Sequence, residues 1–557
     1  MKIMKKMTAL LLALLMVMGM LVTTSMANPV PSYIKINNTS PNHVYAAYQI
    51  FKGDQEADST ILTNIDWGTG INGDNFLTAL KNSAYFTGAG GNNVFAAHDD
   101  AKGVADVVKG WAPNGAEIKN FADIAGLYLT DTFKESGGQT GNSHYIIDDL
   151  ADGFYLVKDQ QVVNGEDVHT DYILLMVKDS GVTITPKSQL PTLIHTVSSH
   201  SNTANGDATD VEVGAPVYHK LEGSLNSYYN DYHQYNVYFV VDIPTGLTLT
   251  NVENITAKIA HQNDALPAID IPDANIRKEN NQLIIVLGDL KQQFSGSNGT
   301  NALNMNDTIE VNFVTSINPN AITGEGNNPD ALANEVTATM YFSNDATQVS
   351  GNTPVRYGSV SDKASVYTYQ LEITKRDIAD DHELQGAVFN LYRKVEAGGG
   401  NSESHYIIAD MTVVNEGNNS SYNEYKVTGW TQNVASATDL VSGENGKFTV
   451  KGLDSMTYRL KEKEAPANYN KLEDDEIVTI TATFKDRELN VFNGVVESSD
   501  ADVDEKTGVI AGSIHNTKGN TLPSTGGIGT TIFYIVGGVL VLGAGAAFVM
   551  KRRNEET

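Results

Sequence analysis

Residues 232–241 read YHQYNVYFVV, and residues 477–484 read IVTITATF. In both runs, aromatic or β-branched residues alternate with polar ones, which is the period-two pattern of a strand with one buried face. Shorter runs of this kind recur at 425–427 and 446–451, and Asp-Gly at 152–153 supplies a turn signal. The pattern predicts a mainly β chain of tandem, antiparallel, immunoglobulin-like sandwiches.

Changes in composition divide the chain into domains. The 557 residues are enough for three domains or more, at about 100–200 residues each. We predict domains at 28–190, 191–362 and 363–520. Two helices are expected in the first domain, around Asp74–Asn82 and Ile118–Tyr128.

The charge and the cysteine content exclude several classes of function. Lys and Arg number 38 and Asp and Glu number 67, so the formal net charge is −29. Nucleic acid is therefore excluded as a partner, because phosphate binding needs clustered positive charge. The chain has no cysteine, which excludes disulfides, thiolate metal sites and cysteine nucleophiles. The hydrophobic content of 41% is enough for packed cores, so the acidity does not indicate disorder.

The N-terminal residues 1–27 have the pattern of a secretory signal peptide. A basic start is followed by an apolar stretch from about Thr8 to Val22, and small residues then lead to Ala27. A membrane anchor is the alternative, but the apolar stretch is short and a cleavage signal follows it. We predict cleavage after Ala27 and secretion of the mature chain.

A second apolar segment, residues 530–550, lies near the C-terminus. At 1.5 Å per residue it would span about 30 Å as a helix, which matches the apolar layer of a membrane. Lys551, Arg552 and Arg553 follow at once, and positive charge stays on the cytoplasmic side. The sequence predicts a transmembrane helix with a cytoplasmic tail at 551–557.

Just upstream stands the pentapeptide Leu522-Pro523-Ser524-Thr525-Gly526. Together with the apolar span and the basic tail, it resembles the cell-wall sorting signal of Gram-positive surface proteins. The resemblance implies that a sortase cuts between Thr525 and Gly526 and passes Thr525 to an amine. Pro523 suits this role, because it keeps the peptide extended.

The third domain carries the most specific resemblance. It opens with YQLEITK at 369–375, continues with LQGAVFNLY at 384–392 and YRLKEKEAP at 458–466, and ends with IHNTK at 514–518. The series resembles the B-type domain of Gram-positive collagen adhesins and the major, or backbone, pilins of sortase-assembled pili. In that family, the Tyr-x-Leu-x-Glu pattern found here at 458–462 is called the E-box.

The family resemblance implies an internal amide bond in this domain. Lys375 and Asn516 would form the crosslink, and Glu462 would relay the proton. A lysine is a nucleophile only when its amine is neutral, and burial favours the neutral form. A buried carboxyl group can hold a proton and pass it to the departing ammonia, while facing strands supply proximity. The alternative is that Lys375 and Glu462 are ordinary surface charges.

The other two domains depart from the family pattern. In the second domain, Asp242 and Asn344 occupy the places of the acid and of the crosslinking Asn. His195 stands about where the Lys is expected, and Lys220 lies a strand later. In the first domain, the E-box-like run at 153–158 ends in Lys instead of Glu. We therefore treat Asp242 and Asn344 as remnants of a crosslinking set.

Lys187 is the predicted attachment residue. It follows Pro186 at the end of the first domain, where shaft pilins carry a Tyr-Pro-Lys-Asn motif, although Thr185 and Ser188 replace the flanking residues. The resemblance implies that Lys187 attacks Thr525 of another subunit held by the sortase. The alternative is a surface lysine of a monomeric, wall-anchored adhesin.

The implied partners follow from this reading. They are a pilin-polymerising sortase, a housekeeping sortase, identical subunits, accessory pilins, peptidoglycan and a host receptor. No metal or cofactor is expected, since the histidines lack metal spacing. The acidic run 473–476 is interpreted as a solvated loop, with calcium binding as the alternative. No enzyme motif is found, so the only predicted catalysis is the internal crosslinking.

Overall fold

The computed structural model describes residues 32–519 with internal gaps, and residues 535–537, 539–541 and 544. The gaps are 56–60, 89, 114, 161–170, 179–180, 187–189, 200–205, 251, 253–254, 263–266, 272–273, 295–302, 322–332, 349–354, 398–400, 418–419, 500 and 505–506. Ala27, Lys187 and the sorting motif 522–526 lie outside the described residues. Within the described part of the chain, no helix is both long and apolar enough to cross a membrane.

Residues 32–184 form the N-terminal unit, which combines two sheets with helices. Its strands are β1 (Ser32–Ile36), β2 (Tyr45–Gln55), β3 (Leu62–Trp67), β4 (Lys134–Glu135), β5 (Tyr145–Leu150), β6 (Gly153–Asp159), β7 (Ile173–Val177) and β8 (Val182–Ile184). Its helices are α1 (Gly73–Asn82), α2 (Ala101–Val108) and α3 (Ala116–Gly126). The two predicted helices are confirmed, and α2 was not predicted. β8 lies at a sheet edge beside β1, so the chain leaves this unit at an edge strand.

Residues 193–367 form the middle unit, a sandwich of two sheets. Its strands are β9 (Leu193–Ser198), β10 (Ala208–Asp210), β11 (Pro216–Ser224), β12 (Asn236–Asp242), β13 (Leu247–Leu249), β14 (Thr256–Ala260), β15 (Ile269–Asp270), β16 (Asn275–Glu279), β17 (Gln282–Asp289), β18 (Thr308–Ile317), β19 (Asn334–Ser343) and β20 (Tyr357–Tyr367). Short helical turns occupy Tyr229–Asp231 and α4 (Leu290–Gln293). One sheet has the order β10-β20-β19-β12-β17-β16, and the other β15-β14-β18-β11-β9.

The predicted boundary between residues 362 and 363 falls inside β20. This strand pairs with β19 without interruption from Tyr357 to Val366, so the middle unit ends at Tyr367. The outward side of β20 carries Ser, Asp and Lys residues, which read as a polar linker in the sequence. The boundary is therefore corrected by a few residues toward the C-terminus.

Residues 369–516 form the C-terminal unit, in which a single sheet folds round its own core. Its strands are β21 (Tyr369–Asp377), β22 (Val388–Ala397), β23 (Asn401–Gly417), β24 (Ser420–Thr431), β25 (Leu440–Val441), β26 (Lys447–Leu453), β27 (Thr457–Glu464), β28 (Glu476–Lys485), β29 (Glu488–Val496), β30 (Asp502–Asp504) and β31 (Val509–Asn516). A short helical turn covers Val434–Ser436. The order is β29-β28-β27-β22-β23-β24-β26-β21-β31-β30, so β23 links two layers by pairing with both β22 and β24. The prediction of a mainly β, tandem sandwich architecture is confirmed.

The middle and C-terminal units share one continuous hydrophobic core cluster. The Val213 amide donates to the Gly452 carbonyl at 3.1 Å across the joint. Gly452 has a φ of +97°, and a Cβ there would lie 2.5 Å from a Val213 methyl group, so both conformation and space require glycine. The close approach of the two backbones therefore depends on this residue.

Charged side chains are also buried at this joint. Arg393 donates to the carboxylate of Glu212 and lies 4.3 Å from the centre of the Trp430 ring. The Tyr369 hydroxyl donates to Asp210 at 3.0 Å. These contacts link residues 210–212 of the middle unit to two strands of the C-terminal unit, β21 and β22.

Candidate functional site: a buried Lys–Glu–Asn set

Two strands at the ends of the C-terminal unit bring Lys375 and Asn516 together. β21 and β31 run parallel, with Lys375 opposite Ile514 and Asp377 opposite Asn516. Side chains two residues apart on a strand point to the same face, so Lys375 and Asn516 both point into the core. The Lys375 Nζ donates to the Asn516 Oδ1 over a sequence separation of 141 residues.

Glu462 reaches the same point from the opposite layer. It lies on β27 opposite Phe389 of β22. Its carboxylate accepts from the Asn516 amide nitrogen, at 3.0 Å to Oε1 and 3.3 Å to Oε2, and Oε1 lies 3.3 Å from the Lys375 Nζ. The Leu472 amide also donates to Glu462 at 2.7 Å. The three predicted residues therefore meet, and Glu462 contacts both reacting partners.

The polar atoms of the site are shielded from solvent and surrounded by apolar side chains. The side chains of Lys375 and Glu462 are both 0% exposed, and Asn516 is 1% exposed. The Lys375 Nζ lies 5.3 Å from the centre of the Phe389 ring, and Ile373 and Ile514 are also buried. A lysine and a glutamate are almost never fully buried unless they are paired. The interpretation of these two residues as surface charges is therefore wrong.

Burial changes the acid–base behaviour of the lysine. Loss of solvation lowers the pKa of Lys375 to about 8, although the carboxylates of Glu462 and Glu476 oppose the shift. At neutral pH, roughly a tenth of such a lysine is an uncharged amine. Burial also raises the pKa of the nearby Glu476 carboxyl. The environment supplies a nucleophile that an exposed lysine would not provide.

The arrangement suits attack of an amine on a side-chain amide. The Lys375 Nζ is held at the Asn516 amide, and Glu462 contacts the amide nitrogen that would leave as ammonia. A carboxyl group placed between the attacking and leaving nitrogens can take a proton from one and give it to the other. The facing strands provide the proximity that this reaction needs.

The two predicted remnants of a crosslinking set in the middle unit, Asp242 and Asn344, lie apart. Asp242 is at the end of β12 opposite Thr337, whereas Asn344 follows the other end of that strand pair, beyond Val237 and Phe342. Asp242 is exposed and accepts from the Gln282 side chain at 2.7 Å. Asn344 is buried at the far end of the sheet. Asp242 and Asn344 therefore cannot act on one bond.

A buried histidine pair connects β9, the first strand of the middle unit, with β11. His195 on β9 is 0% exposed, and its Nε2 lies 3.1 Å from Nδ1 of His219 on β11. The His219 Nε2 lies 2.9 Å from the Thr315 hydroxyl, and its ring stacks on Phe313. Burial lowers the pKa of His195 to about 4 and that of His219 well below its usual value. The sequence analysis singled out His195 but not His219. The two residues meet only through the pairing of β9 with β11.

The N-terminal unit contains a different buried pair. Lys158, the residue at the E-box Glu position, is half-buried on β6 opposite Ala46. Its neighbour Asp159 is buried and lies 2.7 Å from the Nδ1 of His43. The sequence analysis missed this pair, which joins residues 116 positions apart.

A cavity of about 500 Å³ lies between the N-terminal and middle units. It is lined by residues of α3, by Tyr172, by Ile184 and Thr185 at the end of β8, and by Asp231 of the middle unit. Lys119 of α3 also lines it and pairs with Asp171 at 2.9 Å. The cavity therefore opens next to the last described residues before the predicted attachment residue Lys187.

One group of described side chains has the spacing of metal ligands, namely Asp377, Asp380 and His382. The buried Asp377 carboxylate already contacts Lys518 at 3.1 Å and accepts from the Tyr469 hydroxyl at 2.7 Å. The group is better explained by these contacts than by a cation. The acidic run at 473–476 does not form such a group within the described residues.

Comparison with known proteins identifies a domain family and an anchor motif in this chain. Residues 369–494 match SpaA, a prealbumin-like fold domain, and residues 514–557 match the LPXTG cell wall anchor motif. A curated relative, the trypsin-resistant surface T6 protein of Streptococcus pyogenes serotype M6, is 24% identical over 434 residues, which is 67% of this chain and 71% of the relative. The chain resembles Gram-positive backbone pilins.

Solved structures of such pilins can be aligned with most of this pilin-like chain. The T6 backbone pilin of S. pyogenes has a TM-score of 0.49 at 16% identity, with 88% of this chain and 99% of that chain covered. The major pilin SpaD of Corynebacterium diphtheriae has a TM-score of 0.45 at 14% identity, with coverages of 88% and 98%. The predicted resemblance to pilins is confirmed, and the anchor motif places the protein at the cell wall.

Proposed function

We propose that the protein is the polymerising shaft subunit of a cell-surface pilus. The main support is the cell-wall anchor motif at 514–557, directly after a SpaA-type domain. In the proposed reaction, the sortase thiol displaces Gly526 and holds Thr525 as a thioester. The amine of Lys187 from another subunit then attacks the thioester, which releases the thiol and forms an amide.

The internal bond is the second part of the proposal. The Lys375 Nζ attacks the side-chain carbonyl carbon of Asn516, and Glu462 transfers the proton to the departing amide nitrogen, which leaves as ammonia. The burial of all three side chains and the contacts of Glu462 with both partners support this reaction. No external enzyme or cofactor takes part.

The proposed assembly involves several partners. A pilin-polymerising sortase joins identical subunits, and a housekeeping sortase attaches the fibre to peptidoglycan. Accessory pilins and a host receptor complete the set. In this scheme the pilus supports adhesion and colonisation.

Electrophoresis of cell-wall extracts tests the polymer. We expect a high-mass ladder in the wild type and its loss in Lys187→Ala, because that variant lacks the acceptor amine. Lys178→Ala, which removes a neighbouring lysine, is the matched control and should keep the ladder. A single wild-type band would instead support a monomeric, wall-anchored adhesin.

A further inference from the structure

The last described residues of the C-terminal unit are held by three side chains, which we call the clamp. The clamp consists of Asp377 at the end of β21, Tyr469 in the loop after β27, and Lys518. The Tyr469 hydroxyl donates to Asp377 at 2.7 Å, and the Lys518 Nζ lies 3.1 Å from the same carboxylate oxygen. The Lys518 Nζ also lies 5.5 Å from the centre of the Tyr469 ring.

The surroundings of the Asp377 carboxylate favour its pairing with the Lys518 ammonium group. Its other oxygen accepts from the Ala379 amide at 2.7 Å, so a tight turn fixes the carboxylate in place. This amide, the Tyr469 hydroxyl and Lys518 together lower the pKa of Asp377 to about 2. The Ala379 amide fixes one carboxylate oxygen, and the other oxygen, shared with the Tyr469 hydroxyl, carries the charge that pairs with Lys518.

The backbone is held at the same place. The Ile378 amide donates to the Asn516 carbonyl at 3.1 Å, and the Asn470 amide donates to the Thr517 carbonyl at 2.9 Å. The Asn470 side chain also donates to the Thr517 hydroxyl at 3.2 Å. Two segments from different parts of the unit therefore fix residues 516–518 on both sides.

We propose that the clamp of Asp377, Tyr469 and Lys518 fixes the base of the sorting peptide, so that the peptide offered to the sortase begins at Gly519. This inference rests on the proposed function and deepens it. Gly519, the last described residue of this unit, has a φ of +95°, a conformation that favours glycine. In this proposal the three clamp residues have a positioning role and no catalytic one.

The clamp limits how far the scissile bond can lie from the folded unit. Seven residues, 519–525, separate the clamp from that bond. A fully extended chain of that length spans at most about 25 Å. The sortase and the acceptor lysine must both come within this distance of Lys518. An open clamp lengthens the tether and lowers the effective concentration of correctly oriented peptide.

Hydrogen exchange and trypsin cleavage test the clamp itself on the full secreted chain. Asp377→Asn keeps an acceptor for the turn but loses the charge, and Tyr469→Phe removes one hydroxyl. We expect the Asn470 amide to exchange roughly ten-fold faster in either variant, and trypsin to cut after Lys518 faster by a similar factor. Lys363→Gln, which breaks the exposed pair with Glu335 in the middle unit, is the control and should change neither.

Sortase transfer tests the positioning role. The yield of polymer should fall roughly three-fold or more in Asp377→Asn, while the mass still shows the internal crosslink. Unchanged exchange and trypsin rates in both variants would overturn the clamp. Faster exchange with an unchanged polymer yield would overturn the positioning role. A wild-type chain that forms no polymer would overturn both the proposed function and the positioning role of the clamp. The hydrogen-exchange rates would still show whether the clamp itself exists.

Discussion

Lys375 and Asn516 contact each other across a two-residue offset in a parallel strand pair. Lys375 is opposite Ile514, and Asn516 is opposite Asp377. The long lysine side chain covers this diagonal, so its amine reaches the asparagine amide instead of the neighbouring backbone. A shorter side chain at this position would fall short of the amide.

Replacing Glu462 should prevent the internal bond. Wild-type protein is expected to weigh less than its sequence mass by one ammonia molecule, and Glu462→Ala should have the full sequence mass, because the proton relay is lost. Intact-mass spectrometry checks this result. Glu476→Gln changes a nearby buried carboxyl that contacts neither reacting nitrogen and should still lose ammonia. Full sequence mass in the wild type would refute the assignment.

Removing the acceptor should lower the stability of the C-terminal unit. Asn516→Ala cannot form the crosslink, which closes a loop of 141 residues. Chain-entropy reasoning gives a loss of roughly 5 kcal/mol in the free energy of unfolding. Denaturant unfolding monitored by Trp430 fluorescence provides the measurement. Asn493→Ala, at an exposed position of β29, is the control, and an equal loss in both variants would argue against a crosslink.

Acid should destabilise the middle unit through its buried histidine pair. The pKa of His195 is about 4 because of burial, whereas an unfolded histidine has about 6.5. Between these values the unfolded chain binds a proton that the folded unit does not. The stability is therefore fully present above pH 6.5 and falls by roughly 3 kcal/mol as the pH reaches about 4. Calorimetric scans across this range check the loss.

A variant separates this effect from general acid unfolding. His195→Phe removes one of the two titrating groups of the pair and should make the fall in stability between pH 6.5 and 4 shallower. His144→Phe, on the surface of the N-terminal unit, should leave the wild-type slope. If the stability of all three proteins falls equally steeply with decreasing pH, the histidine pair is ruled out as the cause.

A rise in pH from about 4 to 8 should weaken the joint between the middle and C-terminal units. Burial, together with the charge of Asp210, raises the pKa of Asp454 to about 8. The folded chain then holds a proton that the unfolded chain loses near pH 4, so the stability falls as the pH rises from about 4 to 8. Asp454→Asn stays neutral and should flatten this fall in thermal scans. Parallel pH profiles for the two proteins would contradict the assignment.

The sequence predicted the local features of the fold well. Alternating residues indicated the strands, and the order of Lys375, Glu462 and Asn516 along a family pattern indicated the buried set. The end of the middle unit at Tyr367 was missed, because the polar outward side of β20 resembles a linker. The alternation of residues along the chain is enough to predict features that depend on residues close in sequence.

Features that depend on long-range register could not be read from the sequence. Asp242 and Asn344 both lie at strand ends, and only the pairing of β12 with β19 shows that these ends are opposite. The contact of His195 with His219 and that of His43 with Asp159 likewise depend on strand pairing. Alternation tells which face a residue occupies but not which residue it meets.

The parallel pairing of β21 and β31 has a mechanical consequence for a fibre under tension. A pull on Tyr369 at the start of β21 and on Asn516 at the end of β31 acts in opposite directions along the two strands. The strands are then sheared, so all their hydrogen bonds bear load at once. With the proposed bond between Lys375 and Asn516 in place, the force passes through only the first seven residues of β21, 369–375. The rest of the C-terminal unit would stay folded and unloaded while the fibre is stretched.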